Sequence, residues 1–244
     1  MIPSPCSAGD PVPYLSRIWL NPLRARAQLF LRNPHALHAA VLGGIARQPV
    51  EERVLWRLDP VHPRKPELLV LTDSRPSWEH LVEQAGWPQA ADARPETRDY
   101  RPLLDKVQRG REFRLRLRAN PVSATRSPTK PSVAQEKRLA ESRPRGVRVA
   151  HRTAAHQLGW FHDRLPRSGF EPLTTALIAR DRLVFTKSDG AAHNRVVLAT
   201  ATCDATVRVT DPELARHHLL AGLGPAKGYG CGLITLAPLS SEPT

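Results

Sequence analysis

Glu112-Phe-Arg-Leu-Arg-Leu-Arg118 alternates apolar and basic residues without a break. Successive side chains of a strand point to opposite faces, so Phe113, Leu115 and Leu117 bury one face and Arg114, Arg116 and Arg118 line the other. Upstream, Tyr14-Leu-Ser-Arg-Ile-Trp-Leu20 alternates in the same way and reads as a strand buried on one side. Residues 21–32 read as a basic connection carrying Arg24, Arg26 and Arg32. Asn33-Pro34 then pairs an N-cap residue with proline at the first helical position. The helix is expected to run to about Ile45, with Leu37, Ala40, Val41 and Gly44 on one face. Residues 52–59 and 67–72 form a hairpin across a proline-rich turn. Ser77 caps a helix through Gln84, and residues 86–106 read as loop. With residues 112–118 as the closing strand, the order is β-α-β-β-α-β, the ferredoxin-like arrangement.

This predicts an α+β protein with a first unit over residues 13–121, ahead of which residues 1–12, rich in Pro, Ser and Gly, read as a disordered leader. Residues 122–149 read as a flexible basic linker holding Arg126, Lys130, Lys137, Arg138, Arg143, Arg145 and Arg148. A second, less regular ferredoxin-like unit fills residues 150–244. In it Thr153 caps a helix to about Leu165, with Ala154, Leu158, Trp160, Phe161 and Leu165 inward. Two long β-rich runs, 173–186 and 195–209, flank a polar tip and carry Arg180, Arg182, Lys187 and Arg195. Asp211-Pro212 opens a helix to about Leu220.

Gly222-Leu-Gly-Pro-Ala-Lys-Gly-Tyr-Gly-Cys-Gly232 follows that helix and leads into an apolar strand ending at Pro238. A phosphate-cradling Walker loop runs strand, loop, helix and ends in Gly-Lys-Ser/Thr, so the order here excludes it. The dinucleotide fingerprint fails as well, because Lys227 stands where its third glycine belongs. Such a loop can present backbone amides and an ammonium to phosphates, with Gly224, Lys227 and Gly228 as the candidate contacts. It can equally be a tight turn that needs glycine, and the spacing leaves both open.

The 244 residues suffice for one large domain or two small ones, and a hydrophobic fraction of 41% is that of a globular chain. The net charge of +13 calls for a polyanionic partner, of which nucleic acid is the usual one. No apolar run has the length of a membrane span, and no secretory signal is evident. Cys6, Cys203 and Cys231 are scattered and odd in number, which suits reduced thiols in a cytoplasm and argues against a disulfide scaffold. The histidine pairs His35/His38 and His217/His218 lack the spacings of a zinc site, so no metal is expected.

Four blocks taken together resemble the CasE family, the repeat-processing endoribonuclease of the type I-E CRISPR Cascade complex. They are Tyr14-Leu-Ser-Arg-Ile, Asn33-Pro-His-Ala-Leu-His38, Phe113-Arg-Leu-Arg-Leu-Arg-Ala-Asn-Pro121, and the glycine segment ending in Gly-Leu-Ile-Thr-Leu-Ala-Pro238. The resemblance covers nearly everything from Tyr14 onward. It implies two tandem ferredoxin-like folds and a ribonuclease without cofactor or metal. It also implies cutting at the 3′ base of a CRISPR repeat hairpin, and retention of the RNA by a protein that is monomeric outside Cascade.

The family's catalytic histidine falls on His38, and its companion tyrosine, three residues earlier, falls on His35. A basic residue common five positions after the histidine is replaced by Gly43. His35 and His38 share one side of the helix, in its first turns, where the helix dipole disfavours imidazolium. A neutral imidazole is what a general base needs to take a proton from a ribose 2′-OH. Set against this are a surface histidine on an ordinary helix and a non-catalytic guide-RNA binder of the same fold. The arginines of residues 112–118 can be a solvated strand face. Arg143, Arg145 and Arg148 have no acids nearby, and Arg180, Arg182, Lys187 and Arg195 resemble the family's hairpin that enters the RNA stem. Few Tyr and Phe are present for base stacking, which favours recognition by shape and charge.

Overall fold

The computed structural model describes residues 12–60, 62–130, 133–141, 146–189 and 192–239. But for Val12, the expected leader lies outside them, as do Arg143 and Arg145. The first sheet holds β1 (Tyr14–Trp19), β2 (Leu55–Asp59), β3 (Glu67–Thr72) and β4 (Glu96–Asp99), in the order β2-β3-β1-β4 and antiparallel throughout. The second holds β5 (Glu112–Ala119), β8 (Phe170–Asp189), β9 (Ala192–Val209) and β10 (Ile234–Pro238), in the order β10-β5-β9-β8. Each has its first and third strands in the middle, the ferredoxin-like order twice over.

One expectation is corrected by this pairing. Residues 112–118 do not close the first sheet. They begin the second, where β5 lies between β9 and β10, with Leu117 opposite Cys203 on one side and Ile234 on the other. The first sheet is closed by Glu96-Thr-Arg-Asp99, in a region read as loop. That segment carries no apolar residue, and an edge strand needs none because one of its sides meets solvent. Alternation correctly assigns the faces of β5: Phe113, Leu115 and Leu117 are buried with Phe161, Leu165, Ala215 and Leu219. On the other face Arg116 grips Asp204 of β9 through two bonds of 2.6 Å, so this arginine stands in an ion pair rather than free in solvent.

Four helices pack on the first unit: α1 (Ala25–Arg32), α2 (Pro34–Leu42), α3 (Glu79–Ala85) and α4 (Arg101–Lys106). Asn33 caps α2 as expected, its Oδ1 accepting from the amides of His35 and Ala36. The segment read as a basic connection is helical instead. α1 has no side-chain cap and no acid in its first turn, so its start carries no signal; burial of Ala27 and Phe30 holds it in place. α2 stops at Leu42, short of Ile45. Ser77 does not cap α3, which begins two residues later at Glu79.

β3 is buried on both faces, which accounts for its unbroken Leu-Leu-Val-Leu run. Leu68 and Val70 join Trp56, Leu37 and Val41 under the helices. Leu69 and Leu71 join Leu55 in a core shared with the second unit. Each such side chain contributes on the order of 1.5–3 kcal/mol by leaving water.

The expected linker also has structure. β6 (Val122–Thr125) and β7 (Val147–Ala150) pair as a small antiparallel sheet, with α5 (Val133–Leu139) between them in sequence. Next come α6 (Ala154–Arg164), capped by Thr153, and after the long hairpin α7 (Pro212–Ala221), capped by Asp211. Gln157 rather than Ala154 faces inward from α6, because its amide donates to the His151 carbonyl and accepts from Arg180. No helix among the described residues is long and apolar enough to cross a membrane.

Candidate active site and RNA interface

The glycine segment closes over the surface of the first unit. A 3-10 turn at Lys227–Tyr229 packs on α2 and β2. Gly230 has φ of 77°, and a side chain there would drive into the Trp56 ring at 2.6 Å. This position therefore requires glycine twice over, for its backbone and for its neighbour. Gly228 lies against His38: a Cβ at that position would stand 3.3 Å from Nε2. The loop is pinned at its far end by the Gly232 amide, which donates to the Arg118 carbonyl of β5 at 2.7 Å.

His38 is half-buried between these parts. Its Nδ1 accepts a hydrogen bond from Trp56 Nε1 at 3.2 Å, and the two rings lie nearly parallel, 24° apart. Burial holds the imidazole below the usual histidine range, and the neighbouring His35 lowers it further. The direction agrees with the sequence argument; the leading cause is desolvation. His35 is half-buried on the same helix.

Tyr229 of the loop meets Phe185 of β8, with ring centroids 4.9 Å apart, so the hairpin is seated on the turn. Beside this contact opens a cleft of about 690 Å³, lined by Leu37 and Trp56 from the first unit and by Arg118, Arg182 and Tyr229 from the second. Arg182 is thus brought to a cleft that Trp56 and Tyr229 share, although neither His35 nor His38 lines it. Lys187 and Arg195 sit farther out near the hairpin tip, Arg195 exposed and paired in register with Thr186. Arg180 turns away: its guanidinium bonds Gln157 and the Arg152 carbonyl, tying β8 to the start of α6.

Lys227 has local work. Its ammonium donates to the Ala221 carbonyl at 2.6 Å, at the C-terminal end of α7 where backbone carbonyls are unpaired. Burial, with the charge of Arg53, depresses its pKa. Gly224 faces a different groove, lying against Trp160 beside Pro225, Arg148 and Arg164. Arg126 and Lys130 are exposed in the segment that follows β6, and neither lines this groove. Of the candidate residues, His35, His38 and Gly228 lie at the turn, and Arg148 and Gly224 lie in the separate groove.

Sequence reasoning missed Trp56, Arg164 and Tyr229. Trp56 occupies an ordinary core position of an alternating strand. The available signal was its N–H, which needs an acceptor once buried. Among the described residues no group of three or more His, Cys, Asp or Glu side chains is placed to hold a metal.

A family described as CRISPR associated protein matches residues 13–238. The chain belongs to that family. It is 33% identical over 236 residues to the CRISPR-associated endoribonuclease Cse3 of Thermus thermophilus, covering 92% of this chain and 100% of the relative. A solved structure of Thermus thermophilus Cse3, bound to an RNA representing a pre-cleavage complex, superposes with a TM-score of 0.70 at 27% identity, over 93% of this chain and 100% of that one. The CRISPR-associated protein Cas6e of Escherichia coli K-12, 20% identical over 93% of this chain and 100% of its own, shares the fold with a TM-score of 0.59.

Proposed function

We propose that this protein is an endoribonuclease that cuts CRISPR repeat RNA at the 3′ base of the repeat hairpin and keeps the product as a subunit of a Cascade complex. The observation that carries the reading is the setting of His38. It is a half-buried imidazole held toward its neutral form, with one ring nitrogen against Gly228, where no side chain intervenes. The relative named an endoribonuclease matches along nearly the whole chain, and the superposable complex contains RNA.

In the proposed step the ribose 2′-oxygen attacks the adjacent phosphorus and the bond from phosphorus to the 5′-oxygen breaks. His38 accepts the 2′-OH proton, and His35 or water returns a proton to the leaving 5′-oxygen. The products are a 2′,3′-cyclic phosphate and a 5′-hydroxyl. Arg182, Lys187 and Arg195 on the hairpin, with Arg126, Lys130, Arg148 and the Gly224 edge of the groove, supply the phosphate contacts.

The test is incubation with a repeat-hairpin RNA and analysis of the fragment ends. We expect one cut, a cyclic phosphate on the upstream fragment, no effect of EDTA, and no cut when the scissile nucleotide is 2′-deoxy. Tight binding without any cut would leave a guide-RNA binder in place of a nuclease.

Gly228 offers a steric probe. Its φ lies outside the left-handed region, so alanine is tolerated by the backbone, but its methyl would crowd the His38 imidazole. Displacing a reacting group by a fraction of an ångström to one ångström costs up to about a hundredfold. Gly228→Ala is expected to melt close to wild type and to cleave about tenfold to a hundredfold more slowly. A folded variant with the wild-type rate would remove Gly228 from the site.

A further inference from the structure

The Trp56–His38 hydrogen bond fixes more than ring orientation. An indole N–H is a donor only, so the nitrogen that receives it carries no hydrogen. Nδ1 of His38 is that nitrogen. The neutral ring must then hold its proton on Nε2, the atom beside Gly228. An imidazolium would carry a second hydrogen on Nδ1, directed at the indole N–H, and two donors cannot satisfy each other. Trp56 has little freedom to yield: it is 2% exposed on β2, with Gly230 closed against its six-membered ring.

We propose that Trp56 is a positioning residue that holds His38 as the Nε2–H tautomer, so that the RNA-free protein presents a hydrogen-bond donor at this edge. The inference rests on the reading of His38 as catalytic and deepens it. Nε2 can accept a proton only after its own has moved to Nδ1, and that shift releases the Trp56 bond. Proton removal by His38 therefore includes a tautomer change that bound RNA must drive, and the donor form is free to bond a phosphate oxygen first. Burial and His35 act in the same direction, by disfavouring the imidazolium.

Besides β2, through Trp56, and α3, whose His80 Nε2 lies 2.8 Å from the Ala40 carbonyl, the elements packed against α2 are α1, the 3-10 turn and β8. They bring Arg26 and Arg32, Lys227 and Tyr229, and Asp181 and Arg182 toward this region. Among the described residues none of them pairs with His38, and His35 is the neighbour that, with burial, lowers its pKa.

The experiment is nitrogen NMR on the full chain with labelled histidine, His38 being assigned by the signal that vanishes in His38→Ala. In the wild type at neutral pH we expect an unprotonated Nδ1 and a protonated Nε2. In Trp56→Phe we expect mixed tautomers and a titration midpoint raised by about half a unit to one unit, the equivalent of one neutral hydrogen bond. Neither the imidazolium nor the Nδ1–H tautomer holds the Trp56 bond, so cleavage by the variant should match the wild type on the acid limb and exceed it near pH 8, where the wild-type ring is held as the donor. A wild-type ring with its proton on Nδ1 overturns the proposal without any variant, as does an unchanged midpoint in folded Trp56→Phe. Undiminished cleavage by His38→Ala would instead sink the catalytic reading, with the tautomer itself still standing in the spectra.

Discussion

His38→Ala is expected to abolish repeat cleavage, with a loss of about a hundredfold to ten-thousandfold, while RNA affinity stays near wild type. The ring faces the loop rather than the basic groove, so its removal takes away a proton acceptor and at most one neutral contact to a phosphate oxygen, and the charged contacts remain. The pH dependence has a definite sign. A general base works when unprotonated, so the wild-type rate falls as pH drops through the His38 pKa. Burial and His35 depress that pKa below the ordinary histidine value of about 6.5. The rate should therefore be flat around pH 7 to 8 and decline only in more acidic buffer, and the residual activity of the alanine variant should lack that decline. Single-turnover cleavage measured between pH 5 and 8.5, alongside binding of a 2′-deoxy RNA, checks both statements. Cleavage at the wild-type rate would end the assignment of His38.

What could be seen in the sequence was whatever depends on neighbours along the chain. Asn33, Thr153 and Asp211 were legible as caps because a cap bonds amides two or three residues away. Alternation in residues 112–118 was legible as a strand with two faces. It carries nothing about which sheet receives that strand, since the same pattern serves β4's place beside β1 or β5's place beside β9. α1 and β4 were hidden for opposite reasons: α1 lacks a start signal, and β4 lacks apolar residues. His38 and the glycine segment were each legible as motifs, yet their meeting at Gly228 depends on how two units pack. The same holds for Trp56, whose partner lies on another element, and for Lys227, whose ammonium is engaged by its own loop.

Arg57 is the sharpest case of a residue whose role no local pattern betrays, and its replacement should have the largest effect on stability. It stands in the middle of Leu55-Trp-Arg-Leu-Asp59. It is 2% exposed, and Asp59 beside it is 6% exposed. A guanidinium has five N–H donors, and here all five are used. Two go to the Asp59 carboxylate at 2.8 Å, one to Thr235 Oγ1 at 2.8 Å, and one each to the carbonyls of Arg116 and Leu233 at 3.0 Å. The carboxylate comes from the first sheet; the other three acceptors belong to β5, β10 and the residue leading into β10. The side chain is therefore a polar bolt between the two units, placed where the turn carrying Gly228 begins its return to the second sheet. Arg57→Met keeps most of the stem but leaves the buried Asp59 carboxylate with only the Arg116 guanidinium, 4.0 Å away, and takes a donor from three other acceptors. Breaking a buried pair by removing one partner costs about 3–5 kcal/mol. We expect a loss of that size in chemical denaturation. Cleavage should also fall at temperatures where the variant remains folded, because the glycine turn loses its fixed distance from His38. Arg57→Met combined with Asp59→Leu should recover part of the stability, since no charge is then left buried without a counterpart. It should not recover activity, because the carbonyls of β5 and of Leu233 still lack their donor. A change of less than about 1 kcal/mol in the single variant would show that solvent reaches this site and that the units are held together by their shared apolar core alone.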